Sequence, residues 1–286
     1  MDITIEQGIK MNDGYRIPRI AFGTYGLEGT DATEAVELAI NAGCRHIDCA
    51  RFYGNEKEVG AALAQTSVPR SELFVTSKVW NDRQLDGTVR ESVEESLADL
   101  QLDYLDLLLI HWPVADKFVG TWKIFEQLRD EGLVRSIGVS NFQVEHLEKL
   151  RAAGGATPAV DQMERHPYLQ DNETLAYCRD HGIVYEAWSP LGRGGCLQDE
   201  TIAAIAKDHD ASPAQVILAW HVQQGVIPLP RSKNPDRIRA NAQMIAEPLT
   251  DAEVAAIDAL DTGKPIIEGI DPQHFAKSLN SLSSHF

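Results

Sequence analysis

The sequence predicts a (β/α)8 TIM barrel with an N-terminal β-hairpin and extra helices near the C-terminus, on three observations. Eight short, mostly apolar runs alternate with helical stretches. Crossovers of that kind imply a parallel sheet buried on both faces, and eight strands close best as a barrel. A length of 286 residues at 43% hydrophobic content suits one large core, so residues 1–286 read as a single domain. The main rival, an open doubly wound sheet, usually carries a Gly-x-Gly-x-x-Gly after its first strand. Phe22-Gly23-Thr24-Tyr25-Gly26 does not supply one.

The elements follow in order. Ile3-Thr-Ile5 and a turn at Asn12-Asp13-Gly14 suggest a small hairpin over residues 2–17. Ile20–Phe22 forms the first barrel strand and stops at Gly23-Thr24, after which Asp31 is placed to cap a helix through Ala42. The next strand, 45–48, ends on Asp48 and leads to a helix over 56–64. Strand 73–78 precedes a helix over 86–100, and strand 105–110 precedes one over 122–131. Strand 134–139 is followed by helix 144–151, and strand 159–162 by helix 173–181. Strand 183–187 leads into two helices, and strand 226–229 into a helix from Pro235. Pro265, Gly269 and Pro272 make the stretch 263–286 turn-rich, fit to wrap one end.

Composition narrows the function classes. With 26 basic and 43 acidic residues the chain stands at −17, which argues against nucleic-acid or anionic-membrane partners. No apolar run approaches the ~18 residues of a membrane span, and no leader pattern follows Met1. A cytoplasmic protein is therefore expected. Cys44, Cys49, Cys178 and Cys196 show no CxxC spacing and suit reduced thiols. Cys49 beside Asp48 invites a nucleophile reading, but small core filler fits it better.

In a barrel the C-terminal ends of the strands face one mouth. Those ends carry Asp48, Lys78, His111, Ser140-Asn141, Gln162, Trp188-Ser189 and Arg231-Ser232, with Tyr53 in the second loop. Singly, each has an ordinary explanation. Lys78 would snorkel to solvent, His111 would be a satisfied core histidine, Asp48 and Tyr53 would be a cap and a packing aromatic. Tyr25, Trp80 and Trp112 would be simple packing. Together they suggest proton transfer. A phenol ionises near pKa ~10, and a neighbouring ammonium lowers that value. Lys78 would supply the charge, Asp48 would hold Lys78, and His111 could hydrogen-bond a carbonyl. Such an assembly donates a proton to a carbonyl oxygen as its carbon receives a hydride.

Gly23-Thr24, Asp48 with Tyr53-Gly-Asn-Glu56, Ser77-Lys78-Val-Trp80, Leu109-Ile-His111-Trp112-Pro113, Ile137-Gly-Val-Ser-Asn141-Phe142 and Pro230-Arg231-Ser232 together resemble the aldo-keto reductase superfamily. The match runs through almost the whole chain in order. Ser189-Pro-Leu-Gly192 after Trp188 is similar to the prokaryotic 2,5-diketo-D-gluconate reductase branch. The resemblance implies NAD(P)H-dependent carbonyl reduction by a monomer, with a tetrad of Asp48, Tyr53, Lys78 and His111 and Tyr53 as general acid. It places Gly23 and Thr24 with the cofactor-binding residues. It implies that Ser140, Asn141 and Gln162 bond the nicotinamide carboxamide and that Trp188 stacks on its ring. Ser189, Pro190, Leu191 and Gly192 fall in the pyrophosphate loop. Arg231, Ser232, Lys233 and Arg237 match the grip on an adenosine 2′-phosphate, and Asn241 the adenine contact. Ala240 departs from the acid that many relatives carry there.

Arg231, Lys233, Arg237 and Arg239 place four cations within nine residues, beyond a strand end and into a helix N-terminus. That favours NADP(H) over NAD(H). The substrate pocket is expected between Tyr25, Trp80 and Trp112, with His111 and Tyr53 at the carbonyl, and no metal. Aldehydes, dicarbonyls and keto-sugars all suit it. Other readings are a Schiff-base aldolase using Lys78, a non-catalytic cofactor-sensing barrel, and a metal hydrolase built on Asp48, His111 and His166, which lack tight ligand spacing. His166-Pro167-Tyr168 reads as a packed loop.

Overall fold

The computed structural model describes residues 7–266 apart from 244 and 246. A two-stranded antiparallel hairpin, β1 (Ile9–Lys10) and β2 (Arg16–Ile17), comes first. The expected turn is there, closed by Met11 N–H bonding the Tyr15 carbonyl at 2.9 Å, while the expected Ile3–Ile5 segment lies outside the described residues.

Eight parallel strands follow: β3 (Phe22–Gly23), β4 (His46–Asp48), β5 (Phe74–Val79), β6 (Leu105–Ile110), β7 (Val134–Ser140), β8 (Val160–Glu164), β9 (Val184–Trp188) and β10 (Ile227–Pro228), each bonded to the next. Ala21 and Gly23 N–H groups donate to the Pro228 and Pro230 carbonyls at 3.1 Å each, joining the last strand to the first. Closing the sheet removes its edges. Gly138 inside β7 is required by that curl: a Cβ there would stand 2.6 Å from the Val160 carbonyl oxygen and 2.8 Å from Leu109.

Between the strands run α1 (Gly29–Asn41), α2 (Glu56–Gln65), α3 (Asn81–Asp86), α4 (Val89–Leu100), α5 (Phe118–Asp130), α6 (Val144–Ala153), α7 (Asn172–Asp180), α8 (Glu200–Asp208) and α9 (Pro213–Gln223), and after the last strand come α10 (Pro235–Asn241) and α11 (Asp251–Asp258). The helix expected over 122–131 begins earlier, at Phe118, and two further differences have a clear local cause. Asp31 sits in the first turn of α1, where it favours the helix dipole, and is not the cap. The helix expected over 86–100 is broken, because Gly87 at φ 82° ends α3 and the Asp86 carboxylate takes the Thr88 N–H at 2.9 Å. Of the C-terminal stretch, residues 267–286 lie outside the described residues. Its start is held at the β8 end, where Ile266 N–H bonds Glu164 at 2.5 Å. No helix among the described residues is long and apolar enough to cross a membrane.

The barrel interior is layered. Met11 and Ile17 of the hairpin pack against Phe74, Val160 and Val184, sealing the N-terminal end with apolar side chains. Burying each such residue contributes about 1.5–3 kcal/mol. Above them comes a polar layer, and above that the cavity.

Candidate active site

The polar layer begins where the strands stop. Thr24 fastens the end of β4, its N–H and hydroxyl both donating to the Asp48 carbonyl at 3.0 Å. Tyr53 rides on a single helical turn, Arg51–Tyr53. That turn is tied outward by Arg51, which bonds Asp99, Glu95 and the buried Glu56 at 2.5, 3.1 and 3.3 Å.

Lys78, on β5, has a fully buried side chain, and its three ammonium hydrogens all have acceptors. It donates to Asp48 Oδ1 at 2.6 Å, to the Cys49 carbonyl at 3.1 Å and to the Tyr53 hydroxyl at 3.2 Å. The second Asp48 oxygen accepts from Gln162 Nε2 at 2.9 Å. Asp48, Tyr53 and Lys78 therefore share one locus, and His111 stands beside them, its ring 5.8 Å from that of Tyr53.

Electrostatics correct one expectation. Lys78 does pull the Tyr53 phenol toward ionisation, but burial, reinforced by Asp48, outweighs it and pushes the phenol up to about 12. A charge neighbour is visible in the sequence, whereas desolvation requires the fold. Burial alone would lower Lys78, yet Asp48 and Tyr53 together raise it above its ordinary range, so it stays an ammonium. Burial first, then the Lys78 charge, holds His111 well below its ordinary value, so the imidazole is neutral.

Above this layer opens a cavity of about 980 Å3, at the top of the ~300–1,000 Å3 range of small-molecule sites. Its wall includes Asp48, Tyr53 and His111 with Tyr25, Trp80 and Trp112, and also Gly23, Ser140, Asn141, Gln162, Trp188, Ser189, Pro190 and Leu191. Arg231, Ser232, Lys233, Arg237 and Asn241 lie on the same wall. Three expected site residues do not reach the wall. Thr24 and Lys78 lie beneath it, and Gly192 (φ 58°) sits in a turn where a Cβ would come within 2.7 Å of Cys196 Sγ. Arg239 also stays off the wall, paired with Asp236 at 3.1 Å. The start of α10 offers no free N–H for an anion either, since Asn234 takes those of Asp236 and Arg237 at 3.0 Å each.

Sequence reading missed Phe52 and Arg193, both on the wall. Phe52 stacks on Trp80 at 3.8 Å, and Trp80 stands edge-on to His111 at 4.8 Å. Its place next to Tyr53 was the available signal. Cys49 and His166, weighed as chemical groups, are buried at 0% and 2% exposure. Burial pushes the Cys49 thiol well up, so it is inert.

The amides here are largely spoken for. Asn141 (φ 62°) donates to the His111 carbonyl at 2.9 Å and to Ser140 Oγ at 3.1 Å, and its Oδ1 accepts the Trp188 indole N–H at 2.9 Å. Ser140 donates to the Gln162 carbonyl at 2.7 Å. Gln162 Nε2 donates to Asp48 and also to Glu186 Oε2, the latter at 2.8 Å.

Comparison with known proteins gives this geometry a family. The sequence model described as "Aldo/keto reductase family" matches residues 19–262. The chain is similar to a glyoxal reductase of Bacillus subtilis (strain 168), 45% identical over 262 residues covering 91% of this chain and 95% of that protein. It is similar to a methylglyoxal reductase DkgA of Yersinia pestis, 40% identical over 277 residues covering 96% and 99%. Among solved structures, an aldo-keto reductase from a Medee basin deep-sea metagenome library superposes with a TM-score of 0.89 at 39% identity, covering 92% of this chain and 100% of that one. A Bombyx mori aldo-keto reductase in complex with NADP superposes at 0.86 with 36% identity, covering 91% and 94%. Matches of this length and identity, on a barrel with the same fold, show that the chain belongs to the aldo/keto reductase family and is an NAD(P)H-dependent oxidoreductase.

Proposed function

We propose that this protein reduces small aldehydes and ketones, of dicarbonyl or sugar type, to alcohols with NADPH, Tyr53 donating the proton. The observation that carries the reading is the Lys78 ammonium, held between the Asp48 carboxylate and the Tyr53 hydroxyl at the floor of the cavity. The names of the relatives, glyoxal reductase and methylglyoxal reductase, make short dicarbonyls the first compounds to try.

The residues fit a phosphorylated nicotinamide dinucleotide. With both Gln162 amide hydrogens committed to protein carboxyls, its carbonyl oxygen is what it offers to a carboxamide N–H. Ser140 and Asn141 would complete that grip, and Trp188, fixed by its indole bond to Asn141, would stack on the ring. Gly23, Ser189, Pro190 and Leu191 would shape the phosphate path, with Thr24 and Gly192 supporting them from behind the wall and Asn241 on the adenine. Arg231 and Arg237, with Ser232 and with Lys233, which now pairs with Asp31 at 3.2 Å, supply the charge a 2′-phosphate needs, a charge NAD(H) would not use.

The bound cofactor supplies the hydride, and the chain handles the proton. A substrate carbonyl between His111 and Tyr53 would accept a hydrogen bond from each. His111, being neutral, is no competing acid. Tyr53 is protonated at neutral pH, and an alkoxide is a far stronger base than a phenolate, so the proton moves downhill to the product. Lys78 stabilises the phenolate left behind, and Asp48 keeps Lys78 in place. An ammonium raised above its range with every hydrogen engaged is a poor Schiff-base nucleophile, which weighs against an aldolase. Among the described residues the only large exposed apolar side chains are Tyr15 and Leu85, which supports a monomer.

The test is a carbonyl panel with glyoxal, methylglyoxal and a keto-sugar, following NADPH and NADH absorbance. Consumption of NADPH in preference to NADH is expected. Tyr53→Phe should still quench with NADPH but lose about 100- to 10,000-fold in turnover. Full turnover in that variant would overturn the assignment of the proton donor.

A further inference from the structure

We propose that Glu186 is a positioning residue of this active site, working in its protonated form: it holds the Gln162 amide against Asp48 and so keeps the proton-donating dyad and the Gln162 carbonyl aimed at the cavity. The proposal rests on the reductase reading above.

Glu186 sits mid-strand on β9 with 0% exposure. One nitrogen, Gln162 Nε2, spans two carboxyl groups, 2.8 Å from Glu186 Oε2 and 2.9 Å from Asp48 Oδ2. Two carboxylates sharing one amide in a dry layer would repel strongly. Asp48 has Lys78 at 2.6 Å as its counter-ion. Glu186 has no cation in contact, so the neutral partner is Glu186.

A second observation agrees. Glu186 Oε1 and His46 Nδ1 are 3.8 Å apart, and neither has a hydrogen-bond partner. His46 Nε2 is engaged with Thr76 Oγ1 at 2.9 Å. The tautomer with its hydrogen on Nε2 makes Nδ1 an acceptor, which matches a hydrogen on the group opposite. A proton on Glu186 Oε1 answers both orphans after a small side-chain adjustment. The groups facing Glu186 are His46 and Asp48 from β4, Thr76 and Lys78 from β5, and Gln162 from β8, while its β10 neighbour in register is the apolar Ile227. Burial, then the Asp48 charge, pushes Glu186 up to about 8. Burial, then the Lys78 charge, holds His46 down to about 3, so the proton rests on the acid.

Once Glu186 ionises, a second negative charge stands beside Asp48. The Gln162 amide is then drawn to it, and its carbonyl turns from the cavity. Cofactor binding and proton donation should weaken together at mildly alkaline pH.

Glu186→Gln tests this, since its carbonyl can accept from Gln162 and its N–H can face His46 at every pH. NADPH affinity by fluorescence should fall about tenfold in the wild type from about pH 7 to about pH 9, and less than about threefold in the variant. Infrared spectra of the cofactor-free protein should show a carbonyl stretch of a buried carboxylic acid that Glu186→Gln removes. An identical pH loss in both proteins, or no such band, overturns the proposal. Should that variant not fold, a 13C-carboxyl titration of the wild type, assigned with Glu186→Asp, decides: protonation persisting to about pH 8 supports the proposal, and ionisation by about pH 6 overturns it. Wild-type protein that neither binds NADPH nor reduces any carbonyl sinks the reductase reading instead, and leaves the infrared band unaffected.

Discussion

On the inner face of β8 and β9, Gln162 and Glu186 lie in register, bond at 2.8 Å and connect to Asp48 and Lys78. One residue earlier on each strand, Asp161 and Tyr185 are also in register, and alternation turns them outward. Asp161 has 0% exposure, and among the described residues its carboxyl oxygens meet no side-chain donor, only a weak pull from the Phe142 backbone amide. The Tyr185 hydroxyl donates to Asp171 at 3.4 Å. The inner groups are buried as a set whose hydrogens and lone pairs answer one another, the Glu186 Oε1–His46 Nδ1 pair at 3.8 Å excepted. The outer acid is buried with only the Phe142 amide pulling it toward ionisation, and Asp171 is a further negative neighbour. Burial of a carboxyl is thus common to both faces, and what separates chemistry from liability is the partner list.

The sharpest way to break the inner set is Lys78→Met. Turnover should fall about 100- to 10,000-fold, and urea unfolding should show a loss of about 3–5 kcal/mol, because Asp48 is left buried without its cation. Adding Asp48→Asn should restore part of the stability and none of the turnover. A double variant no more stable than Lys78→Met alone would mean that the two residues are not a pair in any energetic sense.

Gln162→Leu should act more mildly. Asp48 keeps Lys78 but its second oxygen loses a donor, at a cost of about 1–3 kcal/mol. NADPH affinity should drop about tenfold, since the carboxamide loses an acceptor worth about 1.4 kcal/mol. Loss of stability with intact NADPH binding would show Gln162 to be purely structural, and would make the inner face resemble the outer one.

Much of this site could be read from the sequence because strand ends are where polarity changes. Asp48, Lys78, His111 and Arg231 each interrupt or end an apolar run. Glu186 and Asp161 do not stand out in that way. They lie inside strands buried on both faces, where alternation carries no polar–apolar contrast to mark a side. The fold class followed from eight strands joined by crossovers, but the hairpin register and the break at Gly87 depend on backbone conformations that composition does not specify. The acidity of Tyr53 was misjudged for a related reason: neighbouring charges are countable in a sequence, and loss of water is not.

The outer face yields the smallest and most diagnostic effect. Burial first, then Asp171, raises Asp161 well above its ordinary value, against a weaker pull from the Phe142 amide. The folded state therefore holds a proton that the unfolded chain releases near pH ~3.9. Stability is largest below that value and falls as pH rises toward the folded-state value. Asp161→Asn keeps the shape, cannot ionise and removes that slope. Chemical unfolding should find it about 1–2 kcal/mol more stable at neutral pH, with the gain shrinking toward zero near pH ~4. Turnover and NADPH affinity should not change, because Asp161 contributes nothing to the cavity wall. A variant that instead loses stability would show that Asp161 has a partner on the α7 side and that the outer face, too, is a paired set.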